Sequence, residues 1–399
     1  MPIVLKKRER NCPGVIIFAH NEILRGIVKK SLKVRQILSR ENKSKKWIFG
    51  IHVQGDPSNI KSWPLEDWHD FLMWPNKEDP FLKKINKNKI TNLTCINFLD
   101  INKKNSYLKL KKVFDLVSVT RFSSGKNVHL TLNIFEELSL KNKNYKFCLI
   151  APKLKFSKKN FFLNKENLYL IKISFLIYRL KKNKNIKFLI SDSKADFPLS
   201  QKKIYETIAK SKFLILNSYR EGVPRVIAEA LYLNTKIIIS DKLKHGLSSH
   251  LNRNNSFIFH EKNNQFNLYL NEIHKTLSLK EKKDFKIKGD FFEGTNKIKI
   301  YNFINKIFKS KKINTKKINS SWLLHNLKYR LASHFKVQNH QIFNSEKLFL
   351  QWFYHVNYDK NYTDEKYNIL FKKDHMNIYL ELKYFIFRLK KFIFNKFRK

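Results

Sequence analysis

A chain of 399 residues is too long for one ordinary hydrophobic core, and with 42% hydrophobic residues it has the material for two. Its 81 Lys and Arg against 32 Asp and Glu leave a formal charge of +49, which favours an anionic partner: nucleic acid, an anionic membrane surface or a phosphorylated substrate. Cys12, Cys95 and Cys148 stand far apart, a spacing that gives neither a zinc pattern nor a disulfide framework and fits a reducing cytoplasm.

The basic stretch Met1 to Arg10 precedes an apolar run too short for a secretory leader, and no run reaches the roughly 18 to 20 residues of a membrane span. Val15 to Ala19 and Trp47 to Val53 read as buried strands, with Glu22 to Ser39 helical between them, a βαβ beginning that favours a parallel sheet. Asp56 to Pro80 holds Pro57, Pro64, Pro75 and Pro80 among Trp63, Trp68 and Trp74, a spacing that forbids a long helix and predicts an aromatic-rich loop region.

From Leu116 to Glu261 strands and helices alternate clearly. Strands are expected at Leu116 to Thr120, Lys146 to Ala151, Ile186 to Ser191, Phe213 to Asn217, Lys236 to Ser240 and Phe257 to His260, with helices at Asn127 to Leu140, Ser200 to Ser211 and Pro224 to Leu233. Such a doubly wound domain binds its ligand beyond the carboxyl ends of its strands. Past residue 270 basic helical stretches take over, Lys297 to Lys309 among them, and Asn377 to Lys399 is imperfectly amphipathic, with Ile378, Leu382, Phe385, Leu389 and Phe392 on one face. The expected domains are 1–115, 116–285, closing helices over 286–319 and a basic helical extension over 320–399.

Ser218-Tyr219-Arg220-Glu221-Gly222-Val223-Pro224-Arg225-Val226-Ile227-Ala228-Glu229-Ala230-Leu231 follows a buried strand and opens a helix. Gly222 permits a tight turn, Pro224 starts a helix without wasting a donor, and the free N–H groups there favour phosphate or hydroxyl oxygens. Glu221 and Glu229 are acceptor-only carboxylates suited to a hydroxyl-rich ligand. The plainer alternative makes Glu221 a first-turn carboxylate facing the helix dipole and Glu229 a solvated surface charge. Upstream, Arg121 and Lys126 stand at a strand-to-helix turn, where a planar fork and a point charge together can clamp a diphosphate.

The segment resembles the Glu-x7-Glu motif of the family-four retaining glycosyltransferases of the GT-B fold, and Arg121 to Asn127 is similar to that family's strand, Arg, polar loop, Lys, helix arrangement. The resemblance spans about residues 116–261. It implies an α/β protein made of a GT-B-like pair of Rossmann-type domains with parallel sheets, the first reduced, followed by a helical C-terminal appendage. It further implies a nucleotide-sugar donor as substrate, no cofactor and no metal, since Arg121 and Lys126 would supply the countercharge. By that match Glu221 binds the sugar hydroxyls, Glu229 the ribose, and Ser218, Gly222, Val223 and Pro224 line the donor site. Arg121 and Lys126 hold the pyrophosphate and stabilise the departing nucleotide. In the first domain His20 and Asn21 occupy the strand end where the family usually has a glycine-rich turn, and they are the acceptor-side candidates; His52 and His69 are weaker ones.

The expected activity is transfer of a sugar, with retention of configuration, to a lipid-linked or other surface-glycan precursor such as one of lipopolysaccharide. The expected place is the cytoplasm, peripheral on the inner face of the plasma membrane. Two other readings remain open at this point: a catalytically inactive sugar-nucleotide-binding homologue, and a basic nucleic-acid-binding protein on the same scaffold. Asp192 and Asp196 do not form a metal pattern, one closing a strand and the other lying in a turn.

Overall fold

A computed structural model describes residues 2–19, 23, 26–53, 68–74, 82–83, 85–99, 105–157, 163–191, 200–219, 221, 224–241, 243, 247, 251–259, 266–279, 291–313, 321–325, 327, 331 and 345–358. In chain order the elements are β1 (Ile3–Lys6), β2 (Gly14–Ala19), α1 (Ile27–Lys30), α2 (Leu32–Lys43), β3 (Trp47–His52), β4 (Phe71–Met73) and β5 (Ile90–Thr91). They continue with α3 (Asn105–Leu108), β6 (Phe114–Val119), α4 (Val128–Lys141), β7 (Phe147–Ala151), α5 (Lys165–Leu180), β8 (Ile186–Ile190), α6 (Gln201–Ala209) and β9 (Ser211–Leu216). The last are α7 (Arg225–Tyr232), β10 (Lys236–Ser240), β11 (Ser256–Phe259), α8 (Phe266–Ser278), α9 (Glu293–Ser310) and α10 (Glu346–Tyr358).

The chain divides into two compact units, residues 1–98 with 296–399, and residues 99–295. The α/β class and the two parallel-sheet, Rossmann-type units are as expected, but the divisions fall elsewhere than at 115/116 and 285/286. No separate appendage starts at residue 320 among the described residues. Phe349, Trp352, Phe353 and Val356 of α10 are buried in the core of the first unit, because a helix carrying that many aromatics on one stripe has to cover them. The expected helix at Asn377 to Lys399 lies outside the described residues.

The first unit holds a five-stranded sheet in the order β1-β2-β3-β4-β5, antiparallel only at β1–β2. Strands β1, β4, at Phe71–Met73 inside the aromatic-rich segment, and β5 were not anticipated; two to four residues are too few to show a period. Its two strand glycines are required by close approach. A side chain at Gly14 would overlap the Trp47 ring, and one at Gly50 the Phe71 ring. Trp47 in turn donates Nε1–H to Asn357 Oδ1 of α10 at 3.0 Å. Trp68 and Trp74 are both fully buried here, so they pack the core rather than face a sugar; Trp63 lies outside the described residues. A buried carboxylate, Asp70, accepts from Asn42 Nδ2 at 2.6 Å and the Phe49 amide at 2.9 Å and pairs with Lys311, which joins strand, helix and chain return without leaving the charge unmatched.

The second unit holds six parallel strands in the order β11-β10-β9-β6-β7-β8. Period-2 alternation sends Leu116, Phe147, Leu149, Phe213, Ile215 and Ile238 to the face covered by α4, α5 and α8. Val117, Cys148, Ile150, Leu214, Ile237 and Ile239 are buried without joining that cluster, and α6 and α7 supply Ile208, Ile227 and Leu231 as further buried residues. Every strand expected between 116 and 261 is present within two residues. Helix α5 was not anticipated; Asn164 caps it by accepting from the Glu166 and Asn167 amides.

Three outcomes test this packing. Gly50→Ala is expected to lower stability by about 1–3 kcal/mol through overpacking, read by urea denaturation. Cys95 and Cys148 are buried, and burial pushes the Cys148 thiol up to about 12, so a thiol reagent at neutral pH should label the native chain at Cys12 alone among the three. In the first unit the Lys33 ammonium and the Ser31 hydroxyl hold the Glu346 carboxyl below its ordinary 4.5. A depressed folded value gives stability that is complete above 4.5 and disappears as pH falls through the lower folded value. Glu346→Gln should therefore weaken the neutral-pH fold and make no difference at the acid end, which tryptophan fluorescence during acid titration would resolve.

Candidate functional site

In the second unit the strand order reverses between β6 and β9, and the two strands pair directly, Leu116 opposite Phe213 and Val117 opposite Leu214. The chain therefore leaves their carboxyl ends side by side, into 120–127 and 217–224. The loops are joined twice. The Tyr219 amide donates to the Gly125 carbonyl at 3.2 Å, and Lys126 Nζ meets Glu221 Oε1 at 2.5 Å. Lys126 and Glu221, 95 residues apart in the chain, thus meet at the ends of adjacent strands.

Each loop is anchored from behind. Asn217 donates Nδ2–H to Thr131 Oγ1 at 2.9 Å and accepts from the Tyr269 hydroxyl at 2.7 Å. Glu166, in the first turn of α5, accepts from both the amide and the hydroxyl of Ser124, at 2.9 and 2.6 Å. Asn127 takes the left-handed conformation, φ 47°, which turns the chain from the short 3-10 turn Ser124–Lys126 into α4; asparagine tolerates that region better than most residues.

The two helix starts differ in what they offer. At α4 the His129 amide donates to the Tyr169 hydroxyl at 3.2 Å, and burial pushes the Tyr169 phenol above its ordinary value, so this start is closed by a neutral group. At α7 the N-cap is Pro224, without a side-chain cap, and the chain reaches it through Glu221. The Ile227 amide turns back to the Pro224 carbonyl at 2.9 Å, and the positive end of the helix dipole lies at this start. Close by in sequence, Ser218 is buried at 3% exposure and its hydroxyl has no hydrogen-bond partner. A buried hydroxyl left unsatisfied costs free energy, so this one is suited to bonding a ligand.

Glu229 lies in α7 and is buried. Its Oε1 accepts from the Tyr205 hydroxyl and from Arg225 Nε, both at 3.0 Å, and Gln201 Nε2 donates to the same tyrosine oxygen at 2.9 Å. The alternative of a solvated surface charge is therefore corrected: with α6 packed alongside, the carboxylate is turned into the protein. Nor is Glu221 a first-turn carboxylate, since it precedes the N-cap and pairs with Lys126. Arg121 is exposed at the start of the first loop, and Pro224 is buried as the α7 N-cap.

Gly222, Val223, His20, Asn21, Asp192 and Asp196 lie outside the described residues. His52 is buried at the end of β3 in the first unit, and His69 stands edge-on to the Trp68 ring. Tyr205, Arg225, Glu166 and Tyr169 were not singled out from the sequence. Only Arg225 carried a visible signal, its i, i+4 spacing from Glu229.

With that geometry in hand, residues 100–286 match the model of the family described as glycosyl transferases group 1, nearly the extent of the second unit. The match covers most of the second unit and falls just short of half of the chain. No curated protein sequence matches the chain significantly. Among solved structures, the chain is similar to trehalose-6-phosphate synthase at 11% identity and TM-score 0.48, with 83% of this chain and 75% of that one covered. It is similar to the lipopolysaccharide outer core galactosyltransferase WaaB at 14% identity and TM-score 0.44, covering 70% and 74%. Against a chain of the GtfA/B complex, at 10% identity and TM-score 0.42, 75% of this chain spans 56% of that one.

Two substitutions in the second unit test these hydrogen-bond assignments. Ser218→Ala removes a hydroxyl that bonds nothing, so the unliganded stability should hold or rise by up to about 1 kcal/mol. Tyr205→Phe takes a bond from the buried Glu229 carboxylate and should cost about 1–2 kcal/mol in the same urea titration.

Proposed function

We propose that the second unit binds a nucleotide-sugar donor where β6 and β9 end, and that the chain passes the sugar, with retention of configuration, to a lipid-linked or other surface-glycan acceptor. The observation that carries this reading is the meeting of Lys126 and Glu221 across two loops beside an uncapped helix start. A cation and a carboxylate in contact can each exchange their mutual bond for a ligand group. Lys126 turns to a diphosphate oxygen and Glu221 accepts sugar hydroxyls. Arg121, exposed at the mouth of the same loop, adds the bidentate clamp that a diphosphate fits. The Ser218 hydroxyl supplies one further bond, and the α7 amides face the negative charge.

In the reaction the bond from the anomeric carbon to the diphosphate oxygen breaks while the acceptor oxygen bonds to that carbon on the same side. The acceptor's proton passes to the departing diphosphate. The protein's part is to stabilise the charge that grows on the diphosphate, through Arg121, Lys126 and the α7 start, and to hold the sugar by Glu221. No metal is needed for that role, because the two side chains bring the countercharge. In this reading Glu229 accepts from the ribose through the oxygen that Tyr205 and Arg225 do not hold; those two bond its Oε1.

Calorimetry with a panel of uridine, guanosine and cytidine diphosphate sugars tests the reading. One donor should bind the native chain in the presence of a chelator. Arg121→Ala is expected to weaken the sugar nucleotide and the free nucleoside diphosphate alike, by about tenfold or more. Glu221→Ala should weaken the sugar nucleotide but not the free diphosphate. Absence of binding across the panel, or equal binding by both variants, removes the assignment.

A further inference from the structure

Helix α5 carries an outward row that the transferase reading leaves unused. Leu163 just before it is 84% exposed, Leu168 45%, Phe175 70% and Tyr178 72%. Exposed large apolar groups are ordinary when scattered, but Leu168, Phe175 and Tyr178 leave this one helix away from the stripe it buries, with Leu163 just ahead of its N-cap Asn164. The opposite stripe, Asn167, Leu170, Ile173, Ile177 and Leu180, is the one that packs into the domain, so the exposed row is not the helix's core face misplaced. Between and beyond the apolar residues stand Lys165, Lys172, Lys181, Lys182 and Lys184, all exposed. Two carboxylates at this helix are engaged: Glu166 by Ser124 and Glu136 by Arg179 at 2.5 Å.

We propose that this face of α5 docks on an anionic lipid surface, the leucines and Phe175 entering the acyl boundary, Tyr178 lying at headgroup depth and the lysines meeting lipid phosphates. The physical case is charge complementarity combined with apolar depth. A helix of 16 residues is about 24 Å long, enough to lie in an interface and too short to cross one. Lysine stems extend along an apolar surface while their ammonium groups reach the phosphates. The chain's formal charge of +49 adds a long-range attraction to the same surface. No helix among the described residues is long and apolar enough to span a membrane, so attachment by this face is peripheral.

The position of the face also matters. Its first turn contains Glu166, which holds Ser124 in the loop that carries Arg121 and Lys126. Docking α5 therefore brings that loop close to the lipid, where an acceptor bearing a lipid tail would lie. The docking itself does not rest on the donor assignment.

The test is co-sedimentation of the full chain with vesicles of phosphatidylcholine containing 30% phosphatidylglycerol, beside pure phosphatidylcholine vesicles, at two salt concentrations. Binding is expected to the anionic vesicles and to weaken with salt. Leu168→Ser with Phe175→Ser should lower partition about tenfold or more, and Lys165→Gln with Lys172→Gln about fivefold per charge. These residues are exposed, and unchanged thermal melting of each variant verifies that the fold is kept. As a direct reading of depth, Phe175→Trp should shift its emission to the blue on anionic vesicles. Equal partition of native and Leu168/Phe175 variants, or no blue shift, would each overturn the proposal. Sugar-nucleotide affinity measured on the same variants without lipid should stay at the native value, which keeps this outcome separate from the fate of the donor site.

Discussion

The pairing of β6 with β9 is the constraint on which the second unit turns. Were the fourth strand to follow the third outward, the loops after β6 and β9 would be separated by two intervening strands, about 14 Å at the usual strand spacing. Reversal of strand order places them adjacent, the position where open parallel sheets bind their ligands. The Tyr219–Gly125 backbone bond and the Lys126–Glu221 ion pair follow from that adjacency, as do the anchors behind them at Asn217 and Glu166. The same reversal sends α4, α5 and α8 to one face and leaves α6 and α7 to bury Glu229 with Tyr205 and Arg225.

Acidic residues are scarce in this chain, and those that are described in detail are committed. Asp70 holds Lys311, Asn42 and a strand amide; Asp115 holds Lys212 and the Lys146 amide; Glu136 pairs with Arg179 and Glu346 with Lys33. The carboxylates thus fix internal geometry, and the surplus of positive charge is left to face outward. Exposed lysines repel one another, a cost that an anionic ligand or surface relieves.

The two units solve burial differently. In the second unit branched aliphatic residues alternate along parallel strands and both sheet faces are covered. In the first unit large aromatic rings fill the space that glycine leaves: Trp47 over Gly14, Phe71 over Gly50, with Phe349, Trp352 and Phe353 of α10 completing the packing. Aromatic pairs such as Phe18 with Trp68 and Phe349 with Phe353 give this core its shape.

Much of the second unit was legible along the chain. Alternating apolar strands, the Ser200 cap, Pro224 at a helix entry and the Ser-x-x-Glu-Gly-x-Pro pattern are local signals, and each depends on neighbours within a few residues. The sequence by itself determined that a strand-to-helix turn bearing Arg121 and Lys126 and another bearing Ser218 and Glu221 exist. It also determined the two-domain α/β class. It did not determine that α10 belongs to the first core, that Trp68 and Trp74 are core residues, that α5 exists with an unburied row of leucine and aromatic side chains, or that Glu229 is buried among Tyr205 and Arg225. Those facts join residues tens to hundreds of positions apart. Helix α5 in particular has apolar residues on both its packed and its outer sides, which blurs the period that marks a helix in sequence. Only strand order and packing decide which of two apolar stripes is covered, and hence which one is left to meet something else.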